Sequence, residues 1–215
     1  MTLIEMIRNK DNLYEGDLVH YFRLVFHQRG SSKNSYHNFR HPLHVFAECY
    51  DACLYYWPKG GAGVGRIIRN ILIASITHDI DHSGQADHDD LNIIRARRAL
   101  EHHVLPVDRP YLPEIGNLIR DATQHPYRIP GEKLPLPAQI LRDADLSQGL
   151  SEVWIQQVVF GLAAEQGVSP LKILESQWHF YDSFTFSTKW AREKFPPSVI
   201  EAKKVEAAEL LKLVT

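Results

Sequence analysis

The 215-residue chain is poor in cysteine and has no excess of charge of one sign. Its two cysteines, Cys49 and Cys53, lie four residues apart in an apolar stretch, which is typical of small core residues on one helix face rather than of a disulfide or a zinc knuckle. Because 24 basic residues are balanced by 26 acidic ones, the formal net charge is −2, and no whole-protein field would draw the chain onto nucleic acid or an anionic membrane. We therefore expect a small-molecule substrate and a reducing, cytoplasmic location.

Long apolar runs are missing too. The longest, residues 67–76, is interrupted by Arg69, Asn70 and Ser75, and the amino terminus has no basic segment followed by an apolar core. We expect neither a membrane partner nor a secretion signal. The length and the 44% hydrophobic content suit a domain that buries a large core, so residues 1–215 are predicted to form a single catalytic domain.

Sustained alternation with a period of two residues is also absent, whereas apolar residues recur at helical spacing along most of the chain. Leu18, Phe22 and Phe26 are four residues apart, and Trp154 and Val158 repeat that step. Clusters of glycine and proline interrupt the pattern at residues 58–65, 106–113, 126–137 and 196–197. These breaks separate helices, so the pattern predicts an all-α fold.

A glycine-rich stretch at residues 60–65 superficially suggests a phosphate-binding loop. No strand is predicted before it and no Lys-Ser or Lys-Thr pair follows it, so the phosphate-binding pattern is incomplete. We predict a connection between two helices.

Three segments are rich in side chains that bind metal ions: residues 36–41 (YHNFRH), 77–84 (THDIDHSG) and 143–147 (DADLS). Imidazole and carboxylate suit Zn²⁺, Mn²⁺ or Fe²⁺, and in the adjacent pair His78 and Asp79 the carboxylate can bridge two ions while the imidazole binds one. An apolar stretch drives this helix end into the protein, where a cation would offset the high cost of burying Asp79. The series predicts one metal pocket and metal-dependent phosphoester hydrolysis.

Other interpretations of these residues stay open. His37, His41 and His44 are also compatible with surface or hydrogen-bonded core histidines, although their clustering favours a shared cavity. Of Asp143 and Asp145, only one needs to be a ligand. An exposed acidic turn between two helices is the interpretation that fits Asp87, Asp89 and Asp90.

In order and pattern, these segments resemble the HD-domain metal-dependent phosphohydrolases, and within them the class I cyclic-nucleotide phosphodiesterases. Tyr-His-Asn-x-x-His is complete at residues 36–41, and His-Asp-x-Asp-His-x-Gly is complete at residues 78–84. Ala-Asp-Leu-Ser follows at residues 144–147, and Ser-Pro at residues 169–170 precedes Ser-Gln-x-x-Phe at residues 176–180. The resemblance spans residues 36 to about 186 and implies a compact multi-helix bundle around a binuclear metal site.

Carried over residue by residue, the resemblance implies two divalent metal ions, drawn from Zn, Mn, Mg or Fe. The first ion has four ligands: His41, His78, Asp79 and Asp145. Asp79 also reaches the second ion, and a water or hydroxide between the ions attacks phosphorus while His37 protonates the departing ribose oxygen as general acid. His82 would fix that water or a ligand carboxylate. A further acidic and histidine cluster resembles the one that orients the catalytic histidine: Glu101, His102 and His103.

Substrate recognition is implied for three residues: Tyr36, Gln177 and Phe180. The Gln177 amide suits the purine edge because it both donates and accepts hydrogen bonds, and Phe180 suits stacking on the ring. Packing on an aromatic-rich helix is the alternative role for both. The chain departs from the family pattern after Ala-Asp-Leu-Ser, where Gln148 and Gly149 replace Asn and Pro.

We therefore expect a metal-dependent phosphodiesterase that hydrolyses a 3′,5′-cyclic nucleotide, cyclic AMP or cyclic GMP, to the 5′-monophosphate. The alternatives are an HD-domain phosphohydrolase for nucleoside monophosphates or another phosphoester, a di-iron oxygenase with the same ligands, and a non-catalytic nucleotide-binding module. We expect a monomer or a homodimer. The amphipathic tail is predicted to pack on its own core through Val205, Ala208 and Leu211.

Overall fold

The fold is that of a computed structural model, which describes residues 2–9, 13–27, 33–85, 89–183 and 185–215. Across these ranges the chain is helical and contains no strand, which confirms the predicted all-α class. The described residues form these α-helices: α1 Leu3–Ile7, α2 Val19–His27, α3 Arg40–Tyr56, α4 Val64–Thr77, α5 Asp89–His103, α6 Leu112–Thr123, α7 Leu136–Leu146, α8 Gly161–Gln166, α9 Pro170–Asp182, α10 Lys189–Lys194 and α11 Pro197–Val214.

Shorter helical segments join several of these helices. Single 3₁₀ turns occupy Arg109–Tyr111 and Gly131–Lys133, and another, Ser147–Leu150, continues directly from α7. The π-helix Ile155–Phe160 leads into α8. No helix in the described ranges combines the length and the apolar character that a membrane span requires.

Helix α4 is the centre of the bundle. It contacts α2, α3, α6 and α7, and every residue from 68 to 77 is buried. A helix buried on all sides needs apolar residues around its whole circumference, and the run from Ile71 to Ile76 supplies them. The carboxyl end of α4 therefore lies inside the protein, as the sequence predicted, and it delivers His78 and Asp79 there.

Helix α3 packs along α4 through a face of small and aromatic residues. Cys49 and Cys53 are both free and fully buried on this face, which confirms their assignment as core residues. The glycine-rich stretch at residues 60–65 joins the two helices, also as predicted, and Gly63 caps α4 with a φ of 75°.

A buried ionic cluster fixes α2 and α4 to the segment between α5 and α6. The carboxylate of Asp108 is fully buried and accepts hydrogen bonds from Arg69 Nε at 2.7 Å and Nη2 at 2.8 Å. Arg66 Nη1 at 2.7 Å and the Tyr21 hydroxyl at 2.8 Å complete its coordination. Such a carboxylate is stable inside a protein only because each oxygen is paired with a charged or polar donor.

The carboxyl-terminal helix α11 packs on α9, in agreement with the predicted intramolecular role of the tail. Its innermost residue is Ala207, while Ala208 and Leu211 are partly buried. The assignment of Val205 to the packed face is wrong, because 48% of this side chain is exposed. The contact face is shifted around the helix from the one that the sequence suggested.

Candidate metal centre

Helix ends, rather than helix faces, bring the four predicted ligands together. His41 is the second residue of α3, His78 and Asp79 follow the last turn of α4, and Asp145 is the last but one residue of α7. Helices α3, α4 and α7 all contact one another, so their ends meet at one side of the bundle.

The ligating atoms converge closely. His41 Nε2 lies 3.1 Å from His78 Nε2, 3.2 Å from Asp79 Oδ2 and 3.1 Å from Asp145 Oδ1. His78 Nε2 lies 3.1 Å from Asp79 Oδ2 and 3.9 Å from Asp145 Oδ1. Bonds of about 2.0–2.1 Å to Zn²⁺ separate neighbouring tetrahedral ligands by about 3.3 Å. The spacing between these four side chains therefore fits one divalent ion.

The other nitrogen of each imidazole is held by an oxygen that accepts a hydrogen bond. His41 Nδ1 donates to the Gln148 side-chain oxygen at 2.9 Å, and His78 Nδ1 donates to the Ser75 carbonyl at 2.9 Å. With the hydrogen on Nδ1, each Nε2 presents a lone pair to the shared point. Four acceptors thus meet with no donor among them, an arrangement that a cation satisfies.

The pKa shifts at the centre also indicate a site for a cation. Burial alone would raise the pKa of Asp79, but the charges of His78 and His37 outweigh it and hold the pKa well below its ordinary value. For Asp145 burial is likewise outweighed, here by His41, and the pKa is lowered. Burial opposes a charge on His41, yet its acidic surroundings raise the pKa well above the usual value. The site favours positive charge between ionised carboxylates.

Asp143 has a different role from its neighbour Asp145. Its carboxylate accepts hydrogen bonds from the backbone N–H groups of Ser187 at 3.0 Å and Thr188 at 2.7 Å, at the start of α10. The two aspartates therefore differ in their contacts: Asp145 faces the histidines, and Asp143 anchors the loop before α10.

Comparisons with protein-family models and with curated proteins found no match to this chain. The function of the protein is therefore inferred from the geometry of the site.

His37 lies beside the four ligands and pairs with Glu165, a residue that the sequence did not single out. His37 Nδ1 contacts one carboxylate oxygen of Glu165, and the other oxygen accepts the backbone N–H of Tyr36 at 2.8 Å and of His37 at 3.0 Å. A carboxylate on Nδ1 orients the ring and leaves Nε2 outside this contact.

The predicted orienting cluster must be corrected. Glu101, His102 and His103 are exposed at the far end of α5, and the backbone oxygen of His103 contacts His20 instead. Helix α5 brings its first residue, Asp89, to the cavity and then runs away from it, which is why its last turn cannot orient His37. Asp89 is half-buried there rather than part of an exposed turn, Asp90 is exposed, and Asp87 lies outside the described residues.

His82 supports His37 from the side. The two rings stack with centroids 3.7 Å apart and an interplanar angle of 21°. The N–H of Gly84 points at His82 Nδ1 from 3.0 Å and the Asn92 amide nitrogen faces Nε2 at 2.9 Å, so neither ring nitrogen is directed at the four ligands. Burial lowers the pKa of His82 to about 4. The side chain is therefore a neutral stacking partner of His37.

The ligands open into a cavity of about 380 Å³. Polar residues of the centre line it, together with Tyr36, whose burial raises its pKa to about 12. Leu146, Val158 and Leu162 add aliphatic surface. A cavity with both polar and apolar lining suits a ligand that has a charged group and a flat apolar ring.

Gln177 and Phe180 both line this cavity from α9. Gln177 is buried; its amide nitrogen donates to the Ile173 carbonyl at 3.4 Å, while its side-chain oxygen has no hydrogen-bond partner among the described residues. A buried amide oxygen without a donor is costly unless a ligand supplies one. Phe180 packs on Gly149, where a Cβ atom would lie 2.8 Å from the ring, so the absence of a side chain at this position has a steric role.

Proposed function

We propose that the chain is a metal-dependent phosphodiesterase that hydrolyses a 3′,5′-cyclic nucleotide. The observation that carries this proposal is the convergence of four acceptor atoms of His41, His78, Asp79 and Asp145 beside an independently oriented histidine. Divalent ions bound there would polarise the phosphoryl oxygens and lower the pKa of a bound water towards about 7. The carboxylate of Asp79 would be shared between this ion and a second one.

His37 supplies the proton in this mechanism. As a water oxygen forms its bond to phosphorus and the bond from phosphorus to the ribose 3′ oxygen breaks, Nε2 of His37 gives its proton to that leaving oxygen. Glu165 holds the ring through Nδ1, and His37 lines the cavity. The proton released by the attacking water balances the reaction, and the 5′-monophosphate is the product.

The charge of the cavity favours a diester substrate over a monoester. Among the described residues that line it are Asp79, Asp89 and Asp145, but neither lysine nor arginine. A singly charged cyclic diester needs only the bound cations to balance it, whereas a doubly charged nucleoside monophosphate would find no basic side chain for its second charge. This contrast favours cyclic nucleotides over the monophosphate alternative.

The apolar lining of the cavity favours a nucleobase. Phe180 offers an aromatic face, and Leu146 and Val158 add aliphatic surface to the same cavity. The unpartnered oxygen of Gln177 is an acceptor for an N–H group on the base edge. A substrate with a planar, hydrogen-bonding ring uses all of these features. A simple alkyl phosphodiester would leave the Gln177 oxygen unsatisfied.

A turnover screen tests the proposal. Purified protein loaded separately with zinc, manganese, magnesium or iron is assayed against cyclic AMP, cyclic GMP, nucleoside monophosphates and cyclic dinucleotides, with metal content measured in parallel. We expect hydrolysis of a cyclic mononucleotide to its 5′-monophosphate. Absence of that turnover in protein with full metal occupancy would contradict the proposal, and turnover of monophosphates alone would favour the alternative phosphohydrolase.

His37→Ala tests the role of the general acid without removing any of the four proposed metal ligands. Its turnover of the cyclic nucleotide should fall about 10²- to 10⁴-fold, because the ribose oxygen then leaves unprotonated. Metal content should be unchanged, since His37 is not one of the four ligands. A nitrophenyl phosphodiester, whose leaving group needs little protonation, should lose much less. His20→Ala, a histidine of α2 that contacts the backbone oxygen of His103 and lies outside the metal cavity, is the matched control. An unchanged rate in His37→Ala would remove His37 from the mechanism.

A further inference from the structure

A second cavity of about 380 Å³ lies between α5 and α6 and shares no lining residue with the metal centre. Its apolar surface comes from Ile94 and Leu100 on α5 and from Leu112 and Pro113 at the start of α6. Its volume is within the range of small-molecule sites, about 300–1,000 Å³. The groove is therefore large enough for a ligand of its own.

Two arginines border this groove without a partner of opposite charge. Within the part of the chain that the structure describes, neither Arg97 nor Arg98 forms an ion pair or a side-chain hydrogen bond, although both line the cavity. By contrast, Arg95 on the same helix lies outside the cavity and pairs with Asp81 at 3.2 Å. Two neighbouring guanidinium groups present planar forks of donors, which match the oxygens of a phosphate group.

Gly116 permits the position of Arg97. This glycine is buried inside α6, and a Cβ atom there would lie 3.0 Å from Arg97 Nε. Glycine in a helix interior is less favourable than alanine, so the helix gives up stability at the one place where the guanidinium lies against its backbone. Because Gly116 has no side chain, Arg97 can lie against α6 at the wall of the groove.

We propose that this groove binds an organic phosphate, with its phosphate group between Arg97 and Arg98 and its apolar or aromatic part on Ile94, Leu112 and Pro113. Glu101 also lines the groove, so its two arginines and one glutamate give it a net charge of +1. A monophosphate therefore suits the groove better than a polyphosphate. The site is separate from the metal centre and needs no metal ion.

Equilibrium binding to metal-free protein tests this site. After metal removal by a chelator, the full chain is titrated with AMP, inorganic phosphate and adenosine in a calorimeter. AMP should bind saturably and more tightly than either part alone, because phosphate lacks the apolar contact and adenosine lacks the charge. Each of Arg97→Ala and Arg98→Ala should weaken AMP binding at least about tenfold, the size of a lost charged hydrogen bond.

Three further variants make the result specific. Arg95→Ala removes a paired arginine from the same helix and should leave the affinity unchanged, as should Gln177→Ala in the metal cavity. Gly116→Ala keeps both arginines but displaces Arg97, so it should weaken AMP while the protein stays folded by its melting curve. No saturable binding to the unaltered protein, or an equal loss in Arg95→Ala, would overturn the proposal. Turnover is not measured here, so failure of this site and failure of the phosphodiesterase proposal are distinguishable.

Discussion

Gln148 lies 107 residues from His41 in the sequence, yet its side-chain oxygen determines which nitrogen of that imidazole faces the metal centre. Both side chains are almost completely buried, so no water substitutes for this contact. Gln148 therefore fixes the orientation of a proposed metal ligand.

Gln148→Ala tests this contact. Without its acceptor, His41 loses its fixed tautomer and orientation, and Zn²⁺ affinity should fall about 10- to 100-fold, measured by competition with a chelator. Gln156→Ala, at an exposed position in the π-helix that follows, is the control and should bind zinc normally. If both variants bind zinc alike, His41 is oriented by something other than Gln148.

Gly149 has a steric role that can be measured at the substrate. A methyl group at this position would overlap the Phe180 ring, so Gly149→Ala should move that ring and raise KM for a cyclic nucleotide about two- to tenfold while kcat is kept. Combining it with Phe180→Leu should add little further, because the clash is then gone. A double variant whose effects simply add would mean that the two residues act separately.

Among the elements, α4 was the most predictable and α8 the least. The run from Ile71 to Ile76 predicts a buried helix from composition alone, and the ligands at its end follow in the next two residues. The candidate ligands on the three segments could be singled out because metal-binding residue types cluster locally in the sequence, and the fold brings these side chains together. The same local signal also marks Glu101, His102 and His103, which the fold places elsewhere.

Partners that meet only through helix packing could not be predicted. Glu165 is 128 residues from His37, and no spacing rule connects a glutamate near the end of a short helix to a distant histidine. The same holds for Gln148 with His41. Asn92 beside His82 is ten residues away, across a segment whose path the sequence leaves undetermined. These contacts depend on how α3, α5 and α8 pack, which is a property of the whole bundle.

The Asp108 cluster gives the elements a pH-dependent connection. Burial alone would raise the pKa of Asp108, but hydrogen bonds from Arg69, Arg66 and Tyr21 outweigh it and lower the pKa. A carboxyl whose pKa is lower in the folded state stabilises the fold above its unfolded pKa of about 3.9. That contribution is lost as the pH falls below this value.

Asp108→Asn removes the charge that the two arginines need. At pH 7 the free energy of unfolding should fall by about 3–5 kcal/mol, the cost of breaking a buried ion pair. The difference from the unaltered protein should narrow as the pH falls below about 4, because the carboxyl of the unfolded chain is then protonated. It should vanish below the lowered pKa of the folded state, where Asp108 is neutral as well. Urea denaturation at several pH values measures this, and a difference that does not depend on pH would contradict the role of charge.

On the scale of the whole molecule, the proposed metal centre would join three helices that are far apart in sequence. A cation bound by His41, His78, Asp79 and Asp145 would link the start of α3 to the ends of α4 and α7. Because only the folded chain assembles this ligand set, binding stabilises the fold, by about 2.7 kcal/mol at a free-ion concentration one hundred times Kd. The melting temperature should therefore rise with zinc or manganese.

The most direct test of the metal centre compares neighbouring aspartates in one motif. Metal content and Zn²⁺ affinity are measured for the unaltered protein, Asp145→Ala and Asp143→Asn, with the melting temperature recorded with and without the ion. We expect tight binding and a metal-dependent rise in melting temperature in the unaltered protein and in Asp143→Asn, and loss of both in Asp145→Ala. Equal binding by all three proteins, or no binding by the unaltered one, would contradict the proposed centre.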